Sequence, residues 1–276
     1  MRGKRSIDFG YHGVGQALVA HAHHGIQGMG AGPERAALGR CPFGCGRRFV
    51  HADTLSQPMA RTKSSKAWLK RHVNDEYVQK ARARGYRSRA AFKLEQIDSK
   101  DRLFRPGALV VDLGAAPGGW SQLAISRVGP KGAVVAVDLL EIAPMSGVTV
   151  LRGDFREPAV RGAIRAALGN KPADVVLSDM LPNVSGIPSV DQANAAALTE
   201  LAIEYCRGES DPGLQPEGIF VVKVFQGEAF PDLLRRMKET FRTVTTRKPE
   251  ASRGESREIY LLGRGLPPEQ VAQDSD

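Results

Sequence analysis

Cysteine is scarce: Cys41, Cys45 and Cys206 are the full set in 276 residues. An odd, sparse set builds no disulfide framework, so reduced thiols and a cytoplasmic location are expected. Long apolar runs are missing too. No stretch approaches the ~20 consecutive apolar residues of a membrane span. The N-terminus also lacks the charged-then-apolar layout of a secretory signal. These absences argue against a membrane protein and a disulfide-stapled secreted module. Internal repeats and low-complexity tracts are absent between residues 61 and 262. Apolar residues at 42% and charged residues at 25% are ordinary for a globular chain, and the length suffices for one large α/β domain or two small ones.

Residues 1–60 differ from the rest. They hold five of the six histidines (His12, His21, His23, His24, His51), two of the three cysteines, many glycines and no sustained helical or strand period. Cys41-x-x-x-Cys45 followed by His51 would suggest zinc if a second ligand pair were present. It is not, so no metal site is expected and the segment is assigned as an extension outside the fold. Met59-Ala60-Arg61 would make a natural start to the domain.

Charge is concentrated in one place. The formal net charge is +9, yet Arg61 to Lys100 alone carries twelve basic residues against four acids, or +8. Residues 101–276 come out slightly negative. A basic arm beside a near-neutral body is the electrostatic footprint of a protein that binds a phosphate backbone. Lys66, Lys70, Arg71, Arg82, Arg84, Arg87 and Arg89 are the expected phosphate contacts. Within the arm, Trp68, Leu69, Val73, Tyr77 and Val78 fall near helical spacing, and Ser88 is placed to cap a second helix carrying Phe92, Leu94 and Ile97.

After Arg105-Pro106-Gly107 the pattern alternates. Strands are predicted at 108–113, 133–138, 149–152, 174–178, 218–224, 243–246 and 259–262, with helices at 119–128, 158–168, 192–207 and 230–240. Residues 208–218, with Pro212 and Pro216, suggest a surface loop. Strand–helix alternation with short loops predicts an α/β, Rossmann-like fold with a seven-stranded, mostly parallel sheet and helices on both faces. The last two strands are joined by a polar loop too brief for a helical crossover, so they should form an antiparallel edge hairpin. The expected division is an extension over 1–60, the basic helical arm over 61–100, the α/β domain over 101–263 and a tail over 264–276.

The segment Val110-Val111-Asp112-Leu113-Gly114-Ala115-Ala116-Pro117-Gly118-Gly119-Trp120 combines a buried strand, a glycine-rich turn and a helix start. Glycines let a backbone approach a ligand without a Cβ in the way, and the ligand should sit over the carboxyl end of the strand. The three-glycine spacing that admits a pyrophosphate is absent, and Pro117 removes one N–H donor. A nicotinamide dinucleotide is therefore disfavoured. An adenosine bearing a sulfonium and an amino-acid tail suits the turn better. Asp138 closes the second strand 24 positions after Gly114, close to the offset at which an acid grips ribose hydroxyls. Asp154 and Asp179 follow the third and fourth strands, so three acids should point into one crevice.

Lys223 lies inside Phe220-Val221-Val222-Lys223-Val224-Phe225, where an ammonium is costly without a partner or a purpose. It is the chief candidate for chemistry. Serving as a base requires its pKa to fall below the ordinary value of ~10.4, and burial or a nearby cation such as Lys93 would do that. Glu258 offers an acid at the start of the last strand.

Phe92-Lys93-Leu94, the Asp112–Trp120 turn, Ser178-Asp179-Met180, Val221-Val222-Lys223-Val224-Phe225-Gln226-Gly227 and Ser256-Arg257-Glu258 together resemble the FtsJ (RrmJ, RlmE) family of ribosomal RNA 2′-O-methyltransferases, in order, over residues 61–263. The resemblance implies S-adenosyl-L-methionine as cofactor and a catalytic set at Lys93, Asp179, Lys223 and Glu258. It also implies cofactor contacts at Gly118, Trp120, Asp138, Asp154 and Asp179, and large-subunit ribosomal RNA as partner, with a uridine ribose methylated within the assembled subunit. No membrane and no obligate protein partner are implied, and a monomer is expected. A factor that keeps the fold and binds RNA without turnover is the alternative. Two departures stand out: residues 1–60 have no counterpart in the family pattern, and Asn194 stands where an arginine is expected.

Overall fold

A computed structural model describes residues 75–182, 185–208 and 213–267. The chain divides into two units, Met1–Pro58 and Met59–Asp276, and all described residues belong to the second. Cys41, Cys45, His51, Lys66, Trp68, Leu69, Lys70, Arg71 and Val73 lie outside them.

Two helices come first. Asp75 starts α1 (Glu76–Ala83): its Oδ1 accepts the N–H groups of Tyr77 at 3.0 Å and Val78 at 3.4 Å, donors that no preceding turn can satisfy. Helix α2 (Ala90–Asp101) does not use the expected Ser88 cap. Arg89 takes the cap position with a helical backbone and no side-chain cap bond. The Ser88 hydroxyl is buried against Gly119 instead, where any Cβ would collide with it. Tight packing of the arm on the next helix has taken precedence over capping.

Then the chain alternates: β1 (Leu109–Leu113), α3 (Gly119–Val128), β2 (Ala133–Asp138), β3 (Val148–Arg152), α4 (Pro158–Ala167), β4 (Ala173–Ser178), α5 (Pro188–Arg207), β5 (Leu214–Phe225), α6 (Phe230–Thr240), β6 (Thr243–Arg247) and β7 (Glu258–Arg264). The sheet order is β3-β2-β1-β4-β5-β7-β6. Strands β1 to β5 run parallel, and β7 is antiparallel to both neighbours. This is the expected seven-stranded sheet with its edge hairpin. Two boundaries differ by four residues, the others by two at most. Helix α5 begins at Pro188, since proline is at home in a first turn. Strand β5 begins at Leu214, inside the stretch expected to be a loop: Leu214 pairs with Ala173 ahead of a register shift to Val175 and Ile219, and Pro216 sits in that irregular stretch.

Each face of the sheet carries its own core. Val110, Val134, Leu177, Val221 and Leu262 meet Leu94 and Ile97 of α2 and Leu123 and Val128 of α3. Val111, Val135, Val176, Phe220 and Leu261 meet Ile164 of α4, Ala202 of α5 and Met237 of α6 on the other side. Near-continuous Val/Leu/Ile strands are what burial on both faces requires.

Asp112 breaks that pattern. Side-chain alternation puts it on the α2/α3 face, wholly buried, with Ser121 Oγ donating to its Oδ2 at 2.5 Å and its Oδ1 left without a hydrogen bond among the described residues. Burial pushes this carboxyl up to about 7, the Ser121 bond opposes the rise, and the charges of Asp179 and Asp138 add to it. The unfolded chain releases this proton near the ordinary 3.8, so between about pH 4 and 7 it binds fewer protons than the folded form and stability falls as pH rises. Thermal melting should therefore show wild type losing stability relative to Asp112→Asn across that window. A gap independent of pH would contradict the buried, protonated acid.

Candidate active site

Register builds the site. Ser178 pairs with Val222, so Asp179, the next residue, emerges beside Lys223 at the carboxyl edge of the sheet. Its N–H donates to Leu113 O at 3.0 Å, fixing it next to the turn after β1. Across β5 and β7, Lys223 pairs with Tyr260 and Phe225 with Glu258. Period-two alternation then places Lys223, Tyr260 and Glu258 on one face, the face covered by α2, which brings Lys93 over them.

Two ion pairs result. Lys223 Nζ donates to Asp179 Oδ1 and to Asp179 O, both at 2.7 Å, with only 4% of the lysine side chain exposed. Lys93 Nζ lies 2.5 Å from Glu258 Oε1. Burial pushes the Glu258 carboxyl up, but Lys93 by charge and hydrogen bond, then Ser252 and the charge of Lys223, outweigh it and hold the group below its ordinary value. The lysine that Glu258 orients is therefore Lys93. Tyr260 lies beneath both pairs: Lys93 Nζ is 6.0 Å from its ring centroid, and burial, with Asp179 and Glu258, keeps its phenol protonated. A cavity of about 20 Å³ opens beside Lys223, lined by Met180, Gln192, Thr199 and Phe225 among others. That is room for one water molecule.

The turn after β1 completes the crevice. Gly114 has φ +75°, and a Cβ there would press on the Met180 backbone at 2.7 Å. Gly118, at φ +102°, starts α3, and a Cβ there would crowd Met145 and Arg87. Asp138 ends β2 and accepts Ala116 N–H at 2.9 Å and Leu140 N–H at 2.8 Å. These glycines make room for Met180, Met145 and Arg87, and the strand-end acid beside the turn is what fits a nucleoside cofactor.

Other expected site residues are placed differently. The Trp120 indole is buried, donates from Nε1 to Ala90 O at 2.8 Å and packs 5.7 Å from the Tyr260 ring, so only its main chain borders the turn. Asp154 accepts Arg156 through the backbone and the guanidinium, which hold its carboxyl below the ordinary value. Of the arm cations, Arg82 is exposed and Arg84 largely so, the latter paired with Glu95 at 3.1 Å. Arg89 is mostly buried, ion-paired with Asp75 and donating to Ala251 O, which takes it away from an RNA phosphate. Arg87 donates to three main-chain carbonyls. Asn194 is exposed on α5. Asp112, Ser121 and Tyr260 carried no signal in the sequence beyond lying in strands or at a helix start.

Residues 86–266 match the family model described as FtsJ-like methyltransferase. A protein of Dechloromonas aromatica (strain RCB) named Ribosomal RNA large subunit methyltransferase E is 54% identical over 208 residues, which cover 75% of this chain and 100% of that one. The protein of the same name from Methylobacillus flagellatus is 51% identical over 205 residues, 74% and 97% of the two chains. A crystal structure of a ribosomal RNA methyltransferase from Plasmodium falciparum superposes with a TM-score of 0.58 at 26% identity, covering 66% of this chain and 98% of that one. The matched range takes in both ion pairs, the glycine turn and the whole sheet, and the chain belongs to the FtsJ-like methyltransferase family.

Proposed function

We propose that this protein transfers a methyl group from S-adenosylmethionine to the 2′-hydroxyl of a uridine ribose in large-subunit ribosomal RNA, within the assembled subunit. The observation that carries the reading is the Lys223–Asp179 pair, its lysine almost sealed from solvent yet seated at the carboxyl edge next to the glycine turn. An RNA-binding factor without turnover would have no use for so costly a lysine. On this reading the protein works in the cytoplasm, as a monomer.

When bound, adenosylmethionine would supply an electrophilic methyl carbon on a sulfonium whose departure as a neutral thioether needs no proton from the protein. Asp138 would hold its ribose hydroxyls, and the backbone at Gly118 and Trp120 its amino-acid end, with Asp154 available to the base once turned from Arg156. What remains for the chain is alignment and removal of one proton. A neutral amine has two N–H bonds and one lone pair. The two acceptors of Asp179 take two N–H bonds of Lys223 and so fix the direction left open for an incoming hydroxyl, which the nitrogen can meet as a base once its third proton has gone. Lys223 is thus the general base, Asp179 its orienting partner, and Lys93, held by Glu258, the cation that steers the ribose oxygen.

Lys223→Ala should lower kcat by about 10²–10⁴-fold, the usual worth of a general base, and leave adenosylmethionine binding nearly intact. Labelled methyl incorporation into large subunits from a strain lacking the gene, with equilibrium dialysis of the cofactor, checks both; undiminished turnover would remove Lys223 from the mechanism. Phosphate contacts from the arm position RNA without reading its sequence. Binding should therefore weaken steeply with salt, and Arg82→Ala with Arg84→Ala should flatten the slope by roughly 0.7 to 0.9 per contact. A slope unmoved by that pair of changes would exclude both from the RNA interface.

A further inference from the structure

Arg87 lies in the basic arm, but its guanidinium is turned inward. Nη1 donates to Ala143 O at 2.6 Å and to Pro117 O at 3.4 Å, and Nη2 donates to Pro144 O at 2.8 Å. Pro117 belongs to the glycine turn after β1, whereas Ala143 and Pro144 belong to the loop between β2 and β3. The main chain around Arg87 is fastened as well. Its N–H donates to Gln122 Oε1 at 3.0 Å, and Gln122 Nε2 donates to Gly85 O at 2.8 Å. One α3 side chain thus clasps both sides of the bend.

The turn and the loop are the two walls flanking Asp138, whose carboxylate takes one N–H from each: Ala116 from the turn and Leu140 from the loop. Arg87 joins the same two walls a few residues further on. Gly118 leaves the space through which the guanidinium passes, since a Cβ there would lie 3.1 Å from Nη1. A planar fork of donors can serve acceptors on two segments together, and donors so engaged are unavailable to a phosphate.

We propose that Arg87 is a positioning residue for adenosylmethionine, setting the gap between the Pro117 turn and the Ala143–Pro144 loop, and is not a phosphate contact. This rests on the cofactor assignment, and the calorimetric titration with adenosylmethionine tests it even if the RNA assignment fails. Without the clasp the two walls separate, and binding must first bring them together, a loss in affinity without a change in chemistry.

Full-length Arg87→Ala and Arg87→Lys, titrated with adenosylmethionine by calorimetry and with a large-subunit rRNA fragment at several salt concentrations, decide the matter. Arg87→Ala should bind adenosylmethionine about tenfold more weakly, with KM rising in parallel, while kcat at saturating cofactor stays within about twofold of wild type. The salt slope for RNA should not change. Arg87→Lys keeps the charge but loses the fork, so it should share the cofactor defect, and it serves as the test variant if the alanine protein fails to fold. Unchanged cofactor affinity in the folded variant would overturn the proposal. So would a shallower salt slope in Arg87→Ala that Arg87→Lys restores, the behaviour of a phosphate contact.

Discussion

An ammonium inside an apolar strand is the constraint around which this site is arranged. Lys223 is flanked by Val222 and Val224, and taking such a group out of water costs several kcal/mol unless it is paired. Asp179 meets that need twice, with its carboxylate and its own carbonyl. For both oxygens to reach one nitrogen, the β4 carboxyl end must stop one residue past its last pairing with β5, as the Ser178–Val222 register provides. Removal of Asp179 would strand a buried amine, whereas removal of the lysine would leave a carboxylate that still reaches solvent. Of the two, the lysine is the member that depends on its partner.

The second pair obeys a different logic. Lys93 and Glu258 join a helix of the basic arm to the last strand, and each is about as sealed as the other. Their bond fixes how α2 lies across the sheet, as do Trp120 through Ala90 O and Gln96 through the N–H of Ala251. Helix α2 is consequently a cover whose position is set from three sides. The outward cations Arg82 and Arg84 precede it on a frame that also carries Lys93 into the crevice.

Much of this was legible in the chain. Val/Leu-rich strands, the glycine turn and a polar link too short for a crossover specify a doubly wound sheet with a reversed edge, and the positions of Lys93, Asp179, Lys223 and Glu258 followed from motif resemblance. What escaped was decided by packing between distant segments. Ser88 was a credible cap until Gly119 came against it. Arg87 and Arg89 are chemically the same residue type as Arg82 and Arg84, and no local pattern separates a guanidinium facing solvent from one enclosed by carbonyls. Pro216 suggested a loop because period and propensity do not register a strand that starts, slips and resumes. Asp112 gave no sign of its shifted proton affinity, which arises from burial and from two acids brought near by the sheet.

Strand β7 lies between β5 and β6 although it is the last strand made. It supplies Glu258, Tyr260 and the antiparallel neighbour of Lys223 in a single stretch. During biosynthesis, then, every earlier strand can emerge while the reaction centre still lacks a wall. On the proposed chemistry, the growing polypeptide would stay catalytically silent until β7 has threaded home, and a product cut short before Glu258 would carry the cofactor turn without a finished place for the ribose.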